Sequence, residues 1–201
     1  SLSEALQELG INFKVNEGDG AFYGPKIDFK LEDSLGRTWQ CGTIQLDMQL
    51  PERFQLEYTG SDDQKHRPVM IHRAAFGSIE RFIGILTEHF AGAFPLWISP
   101  LQVEIMPIAD RHNSFAEKVK TELVKNGFRV HIDDRSEKIG FKIREAQLKK
   151  TPYMLIIGDK EVETETISVR SRKSDKGDLG AMTISDLMAR LADEVENKTI
   201  D

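Results

Sequence analysis

Four ionisable side chains lie within ten positions of an otherwise apolar stretch, VMIHRAAFGSIERFIGIL at residues 69–86: His72, Arg73, Glu80 and Arg81. Charges are costly to bury unless they are paired or used. A neutral imidazole is a good ligand for a borderline metal such as zinc, and a guanidinium offers fixed, paired donors that suit phosphate. From residue types alone, a buried structural histidine is the commoner interpretation of His72. For Glu80 and Arg81, the alternative to a phosphate-binding role is an exposed ion pair at the start of a helix.

A basic segment in the second half of the chain is a second candidate functional feature. Residues 135–150 hold six basic and two acidic side chains, although the whole chain carries a net charge of -6. A local basic patch on an acidic protein is compatible with a confined contact with a polyanion, but from charge alone an ordinary solvated helix face is the commoner interpretation. The predicted basic edge consists of Arg135, Lys138, Lys142 and Lys149, with Ile139, Ile143 and Ala146 on the opposite, apolar face.

Composition limits the class of protein. The chain has 201 residues, of which 39% are hydrophobic and 30% charged, so a packed core is expected. No apolar run approaches the roughly 20 residues of a membrane span, and the first residues, SLSEALQELG, do not form a signal peptide. Because Cys41 is the single cysteine, no intramolecular disulfide is possible, and a cytoplasmic, reducing setting is expected.

The elements that position these residues fall into two predicted domains, 1–98 and 99–201, because Pro95 and Pro100 bracket a segment that breaks helix. In the first domain, alternating polar and apolar residues predict antiparallel strands. These span residues 22–32, 37–47, 54–59 and 67–75. A helix with one apolar face follows from Ile79.

The second domain alternates strands and helices, which indicates a mainly parallel or mixed α/β sheet with helices on both faces. The predicted strands are 102–108, 128–132, 153–158 and 165–171, and the predicted helices are 114–125 and 137–150. Thr183, with Asp186 three residues later, predicts the cap of a last helix. The fold class is therefore a combination of α+β and α/β.

Four segments in order carry a resemblance to a known family: GAFYGPKIDF, WQCGTIQLD, VMIHRAAFGSIERF and EKIGFKIREAQ followed by PYMLIIGDKEV. Together they resemble the bacterial threonyl-tRNA synthetases, and GSIERF resembles motif 3 of the class II aminoacyl-tRNA synthetases. The resemblance implies that 1–98 is the C-terminal part of a class II catalytic domain, with a partial antiparallel sheet, and that 99–201 is an anticodon-binding domain. The family's motifs 1 and 2 and its editing domain are not found, so we expect a piece of a longer protein that does not aminoacylate alone.

The resemblance implies an ATP-dependent ligase of translation that activates threonine and transfers it to threonine tRNA. It makes His72 the third zinc ligand of the full-length enzyme, whose zinc would bind the amino and hydroxyl groups of threonine and so reject valine. Arg81, in a catalytic role, would face the phosphates of ATP, which binds with Mg²⁺. Gly77 and Ser78 would let the nucleotide approach the backbone.

Further residues of the catalytic part follow from the same resemblance. Tyr23 would orient the threonine amine, and Lys26, a second catalytic residue, would meet carboxylate or phosphate oxygens. Gln40 and Thr43 suit the ribose and α-phosphate of ATP, and Gln45 the threonine. In a regular strand Gln40 and Gln45 face opposite ways, so we predict a β-bulge near Gly42 that turns both to one side.

In the second domain the resemblance assigns anticodon reading to Glu161 and Arg170, with Lys138 on RNA phosphates and Arg144 as a further candidate. The alternative for Glu161 is an ordinary hairpin carboxylate. The implied partners are threonine tRNA, ATP, threonine and a second copy of the chain in a homodimer, with no membrane. Two other hypotheses stay open at this point: a stand-alone tRNA-binding module without catalysis, and a small nucleotide-binding α/β domain unrelated to tRNA.

Overall fold

The computed structural model describes residues 2–173 and 177–200, which form two compact units, Ser1–His89 and Phe90–Asp201. This division assigns residues 90–98 to the second unit, whereas the composition change places them in the first; the domain boundary stays a prediction. Within the described ranges, no helix has the length and apolar character needed to cross a membrane.

The first unit is built on a three-stranded antiparallel sheet in the order β1-β2-β5. Its strands are β1 (Lys26–Glu32), β2 (Thr38–Asp47) and β5 (Met70–Ala74). The β1–β2 turn is organised by Asp33, whose Oδ1 accepts the backbone N–H groups of Leu35 and Arg37, both at 2.9 Å. A short polar side chain that bonds the backbone two residues on is typical of such turns.

The predicted bulge is confirmed. Phe29 pairs with Gly42, but the next residue, Lys30, pairs with Gln40, so Cys41 is an extra residue of β2 without a partner in β1. One extra residue reverses the alternation of side chains on one side of the bulge.

The remaining elements of the first unit are short, apart from one helix. They are α1 (Leu2–Glu8), α2 (Leu50–Arg53), the hairpin of β3 (Tyr58–Thr59) and β4 (Lys65–His66), and α3 (Ile79–His89). The predicted strand 54–59 is wrong over most of its length, because it follows the one-turn helix Leu50–Arg53, Gln55 has a φ of +52° and only Tyr58–Thr59 is extended. No residue of α3 is buried.

The second unit is a five-stranded mixed sheet in the order β10-β9-β8-β6-β7. Strands β6, β7 and β8 are parallel, and β9 and β10 are antiparallel additions. The strands are β6 (Val103–Pro107), β7 (Val130–Ile132), β8 (Tyr153–Ile157), β9 (Ile167–Ser171) and β10 (Asp178–Met182). The helices are α4 (Asn113–Lys125), α5 (Ile139–Leu148), α6 (Asp159–Thr164) and α7 (Ile184–Glu196). The predicted α/β alternation is confirmed, whereas α6 and β10 were not predicted.

Two apolar clusters cover the two faces of this sheet. The larger contains Val103, Ile105 and Leu155 of the strands together with residues of α4 and α7. On the other face, Met106 and Met154 pack against Ala146, Ile139 and Ile143 of α5. The predicted apolar face of α5 is therefore confirmed.

We expect Leu155→Ala to lower the free energy of unfolding of the second unit by about 2–5 kcal/mol, because Leu155 is fully buried and truncation leaves a cavity. Leu148→Ala, at a side chain that is 72% exposed, is the matched control and should change stability by less than about 0.5 kcal/mol. Urea denaturation measures both. Equal losses for the two variants would contradict this placement of the core.

Candidate functional site

The register of the first sheet places most of the predicted catalytic-domain residues on one face. Lys26 pairs with Gln45, and Gln45 pairs with His72 on the other side. Directly opposite residues in neighbouring strands share a face. Asp28 and Thr43 form the next pair on this face, two residues along each strand. The bulge at Cys41 then brings Gln40 to the same face, opposite Lys30.

At one end of this face, Tyr23, Gln45 and His72 lie together. The Tyr23 hydroxyl donates a hydrogen bond to Gln45 Oε1, and the Tyr23 and His72 rings are 5.7 Å apart, edge to face. A cleft of about 180 Å³ opens here; its lining consists of Phe22, Tyr23, Asp47, Gln49, Leu50, Arg53 and His72. The size and the mixed aromatic and polar lining suit a small polar molecule.

Asp47 is a buried residue of this cleft that the sequence analysis missed. Its Oδ2 lies 2.8 Å from His72 Nε2, and its Oδ1 accepts the backbone N–H groups of Gln49 at 3.0 Å and Leu50 at 2.9 Å. Burial alone would raise the pKa of Asp47, but the Leu50 N–H and the His72 ring outweigh it and hold this pKa below its usual value. Asp47 follows Gln45 by two residues in β2, so both side chains lie on the same face of the sheet. That spacing could have identified Asp47 as a residue of the site.

The residues present do not by themselves make a zinc site. A catalytic zinc takes three protein ligands, and within residues 2–173 and 177–200 no three His, Cys, Asp or Glu side chains group closely enough to hold a metal. His72 and Asp47 are bonded to each other. Cys41 is buried and free, at the bulge.

Gln40, Gly77 and Arg81 come together at the other end of the sheet face. Arg81 Nη2 donates to the backbone oxygen of Gln40 at 2.9 Å. Gly77 has a φ of +66°, and a Cβ there would lie 3.1 Å from the carbonyl oxygen of Cys41. Glycine is therefore needed for both the turn and the close approach to the bulge. The backbone N–H of Arg81 lies 3.3 Å from Ser78 Oγ, which donates to Glu80 at 2.8 Å.

Asp28 connects the two ends. Lys26 Nζ lies 2.8 Å from Asp28 Oδ2, and Gln40 Nε2 donates to Asp28 Oδ1 at 2.8 Å. The hydrogen bond to Asp28 raises the pKa of Lys26, so the ammonium stays charged and can bind an anion. Arg81 is not among the residues that line the cleft beside His72. The predicted residues thus form two groups along one strand pair, joined through Asp28.

In the second unit, Glu161 follows the carboxyl end of β8. Its alternative as a hairpin carboxylate is wrong, because it lies in the first turn of α6 and its Oε2 accepts the backbone N–H of Gly158 at 2.9 Å. The strand order reverses between the neighbouring strands β6 and β8. In open α/β sheets, ligands bind outside the carboxyl ends of the strands at such a point.

Arg170 lies elsewhere on this sheet. It pairs with Met154 of β8 and with Asp178 of β10, so the register separates it from the end where Glu161 lies. Its Nε is buried and lacks a hydrogen-bond partner within the described part of the chain. A buried unpaired donor is unfavourable unless something else bonds to it.

The predicted basic edge is partly wrong. Lys142 is buried, at 3% exposure, and donates to the backbone oxygens of Asp133 at 2.8 Å and Pro107 at 3.3 Å. Arg135 is held by the carboxylates of Asp133 at 2.7 Å and Glu145 at 2.5 Å, and the Asp133 hydrogen bond raises its pKa. Lys138, Arg144 and Lys149 are exposed.

Comparisons with known proteins match each part of the chain to a family model. Residues 1–90 match the family model described as tRNA synthetase class II core domain (G, H, P, S and T), and residues 102–194 match the anticodon binding domain. The threonine–tRNA ligase of Acetivibrio thermocellus is 63% identical over 198 residues, covering 98% of this chain and 31% of that protein. The chain belongs to the threonyl-tRNA synthetase family.

Other members of the family show the same pattern. The threonine–tRNA ligase of Clostridioides difficile is 64% identical over 197 residues, which is 98% of this chain and 30% of that protein. The chain thus spans less than a third of these relatives. The crystal structure of the RNA binding domain of threonyl-tRNA synthetase from Cryptosporidium parvum superposes with a TM-score of 0.84 at 42% identity, covering 96% of this chain and 48% of that one.

The charge network predicts how stability depends on pH. The pKa of Asp47 is lower in the folded than in the unfolded chain, so the unfolded chain binds more protons and stability falls as pH drops below about 4 through the folded-state pKa. Asp47→Asn keeps an oxygen for the backbone N–H groups but loses the charge, so this part of the acid dependence should disappear. Urea denaturation at a series of pH values measures it. Asp134→Asn, at an exposed position, is the control, and an unchanged pH profile in Asp47→Asn would contradict the assignment.

Proposed function

We propose that these residues form part of a threonine–tRNA ligase that makes threonyl-adenylate from threonine and ATP and transfers threonine to its tRNA. The observation that carries the proposal is the shared face of Lys26, Gln45 and His72, set by the strand register and continued to Gln40 by the bulge. Family membership and the match to the class II core support it.

The two groups on that face divide the substrates between them. Tyr23, which lines the cleft, and Gln45, to which its hydroxyl donates, would hold threonine beside His72. Gln40, Thr43, Gly77, Ser78 and Arg81 would hold ATP, with its Mg²⁺. Lys26 lies beside Gln45, and its ammonium reaches Asp28, which joins the two groups. It stays charged, so it would neutralise the threonine carboxylate or the α-phosphate as they approach each other.

The second unit would read the tRNA anticodon through Glu161 and Arg170, with Lys138 and Arg144 on the RNA. Because carboxylates repel phosphate, Glu161 would favour RNA binding only by accepting hydrogen bonds from donors on base edges. Its bond to the Gly158 N–H fixes the carboxylate in one orientation, and this favours base recognition over a general electrostatic contact.

The alternative, a stand-alone tRNA-binding module without catalysis, is less well supported. A binding module would not need a lysine paired with Asp28, a glycine turn against the bulge and an arginine bonded to the backbone of Gln40, all in register in the first unit.

Three further properties belong to this proposal for the full-length protein. His72 would be one zinc ligand, and the others would come from residues outside this chain. The enzyme would be a homodimer, and it would work in the cytoplasm, where a single reduced cysteine suits the conditions.

In the full-length enzyme, we expect Arg81→Ala to lower the rate of threonyl-adenylate formation roughly 100- to 1,000-fold, because a cation aimed at developing charge is lost. Threonine-dependent exchange of pyrophosphate into ATP measures this step without tRNA. Arg73→Ala is the matched control, since Arg73 pairs with Ile44 and faces the other side of the sheet. Equal losses in the two variants would contradict the assigned face.

Arg170→Ala is expected to weaken discrimination between threonine tRNA and the same tRNA with altered anticodon bases by about tenfold or more, the usual value of a bidentate contact. Aminoacylation kinetics with both tRNAs measure the ratio, and pyrophosphate exchange is measured in parallel. If exchange falls as much as discrimination does, anticodon reading is not the role of Arg170.

A further inference from the structure

The first turn of α5 lies over the carboxyl ends of two strands. Buried Lys142, in that turn, donates to the backbone oxygen of Pro107 at the end of β6 and to that of Asp133 just after β7. A lysine that bonds two strand-end carbonyls fixes the helix start at this edge of the sheet. The beginning of α5 therefore borders the crevice at which the strand order reverses.

The same edge continues to Glu161. The backbone N–H of Ile108, just after β6, donates to Ile157 at the end of β8 at 2.9 Å. The Ile108 side chain is so close to Gly158 that a Cβ on Gly158 would lie 2.9 Å from it. Because Gly158 also donates to Glu161, the starts of α5 and α6 are linked by a short series of contacts through Pro107 and Ile108.

An aromatic side chain is exposed at this edge. Phe141, one residue before Lys142, is 47% exposed. Phe141 and Arg144 are three residues apart and so lie side by side on the helix surface, away from the face where Ile139, Ile143 and Ala146 pack. Phe141 thus presents part of its ring to solvent.

The charges around Phe141 favour RNA as the partner. Lys138, the N-cap of α5, and Arg144 are both exposed. The acidic residue nearest in the helix, Glu145, is engaged by Arg135 at 2.5 Å. An exposed ring flanked by cations suits a molecule with flat aromatic faces on an anionic backbone. Unpaired nucleotides have both, and aromatic side chains stack on them.

We propose that Phe141 is a base-stacking residue that holds an unpaired anticodon-loop base above the crevice bordered by Glu161, with Arg144 beside the same base or its phosphate. This rests on the proposed function of the second unit as an anticodon reader. Phe141 would supply affinity by stacking its ring on the flat face of a base, which every base has. Residues that bond base edges would supply discrimination.

The test uses the 201-residue chain and two RNA hairpins, one with the anticodon loop of a threonine tRNA and one with its three anticodon bases replaced. Phe141→Leu keeps an apolar side chain but removes the ring, and should weaken binding to the first hairpin roughly 5- to 100-fold. The salt dependence of binding should not change, because no charge is lost. Leu148→Ala, another exposed apolar position on α5, is the control and should leave the dissociation constant unchanged.

Removing the base shows whether the ring stacks on it. In hairpins with an abasic site at each loop position in turn, one position should abolish the difference between wild type and Phe141→Leu. Phe141→Trp should bind at least as tightly as wild type, and its added fluorescence should be quenched by the hairpin but not by the corresponding abasic one. The Trp variant retains a ring, so its result does not depend on how well the Leu variant folds.

The outcomes separate the two levels of inference. If wild type binds both hairpins equally, the proposed anticodon function fails and this proposal fails with it. If wild type discriminates but Phe141→Leu binds like wild type, or the loss persists at every abasic position, the stacking role alone is overturned.

Discussion

The candidate site of the first unit depends on the strand register of its small sheet, and above all on one extra residue. Because side chains alternate along a strand, Gln40 and Gln45 would face opposite ways in a regular β2. Cys41 has no partner in β1, so the alternation reverses there and Gln40 joins Lys26, Asp28 and Gln45 on one face. The bulge also exposes a carbonyl to the close approach of Gly77, which places Arg81 against Gln40. A shift of one residue would undo both arrangements together.

Carboxylates and one lysine then hold these arrangements in place. Asp47 connects His72 to the start of α2, Asp28 connects Lys26 to Gln40, and Lys142 joins α5 to the ends of two strands. Each is a charged group that bonds to backbone or to oppositely charged or polar neighbours, which offsets the cost of desolvation. Such residues touch no substrate in the proposed function. They orient the residues that do, and a binding site needs this support to keep its geometry.

The sequence predicted the helices and strands better than it predicted the charged residues that hold them in place. Periodicity located β6, β8, α4 and α7 because each buries a regular set of apolar residues. The bulge was predicted from the opposite parity of two glutamines that the family resemblance assigned to one pocket. Periodicity did not predict α6, whose start is capped by Gly158 and has no Ser, Thr, Asp or Asn before it, nor β10, where glycine interrupts DLGAM. Lys142 was assigned to an exposed edge because its type and spacing are those of a surface residue. Its long apolar stem reaches inward instead, a choice that depends on carbonyls from distant parts of the chain.

In the proposed function, the second unit uses different residues for RNA affinity and for selectivity. A lysine or arginine that contacts phosphate attracts any RNA, and a phenylalanine ring stacks on any base, so neither contact distinguishes one anticodon from another. Glu161 has the opposite character, since a fixed carboxylate gains energy only from a base that offers donors and is repelled by phosphate otherwise. Selectivity is a difference between two affinities. The Gly158 N–H fixes the direction of the Glu161 carboxylate, and a carboxylate that repels the wrong RNA increases that difference more than another cation would. An acidic residue at the edge of an RNA-binding surface is therefore expected where the sequence of the RNA has to be read.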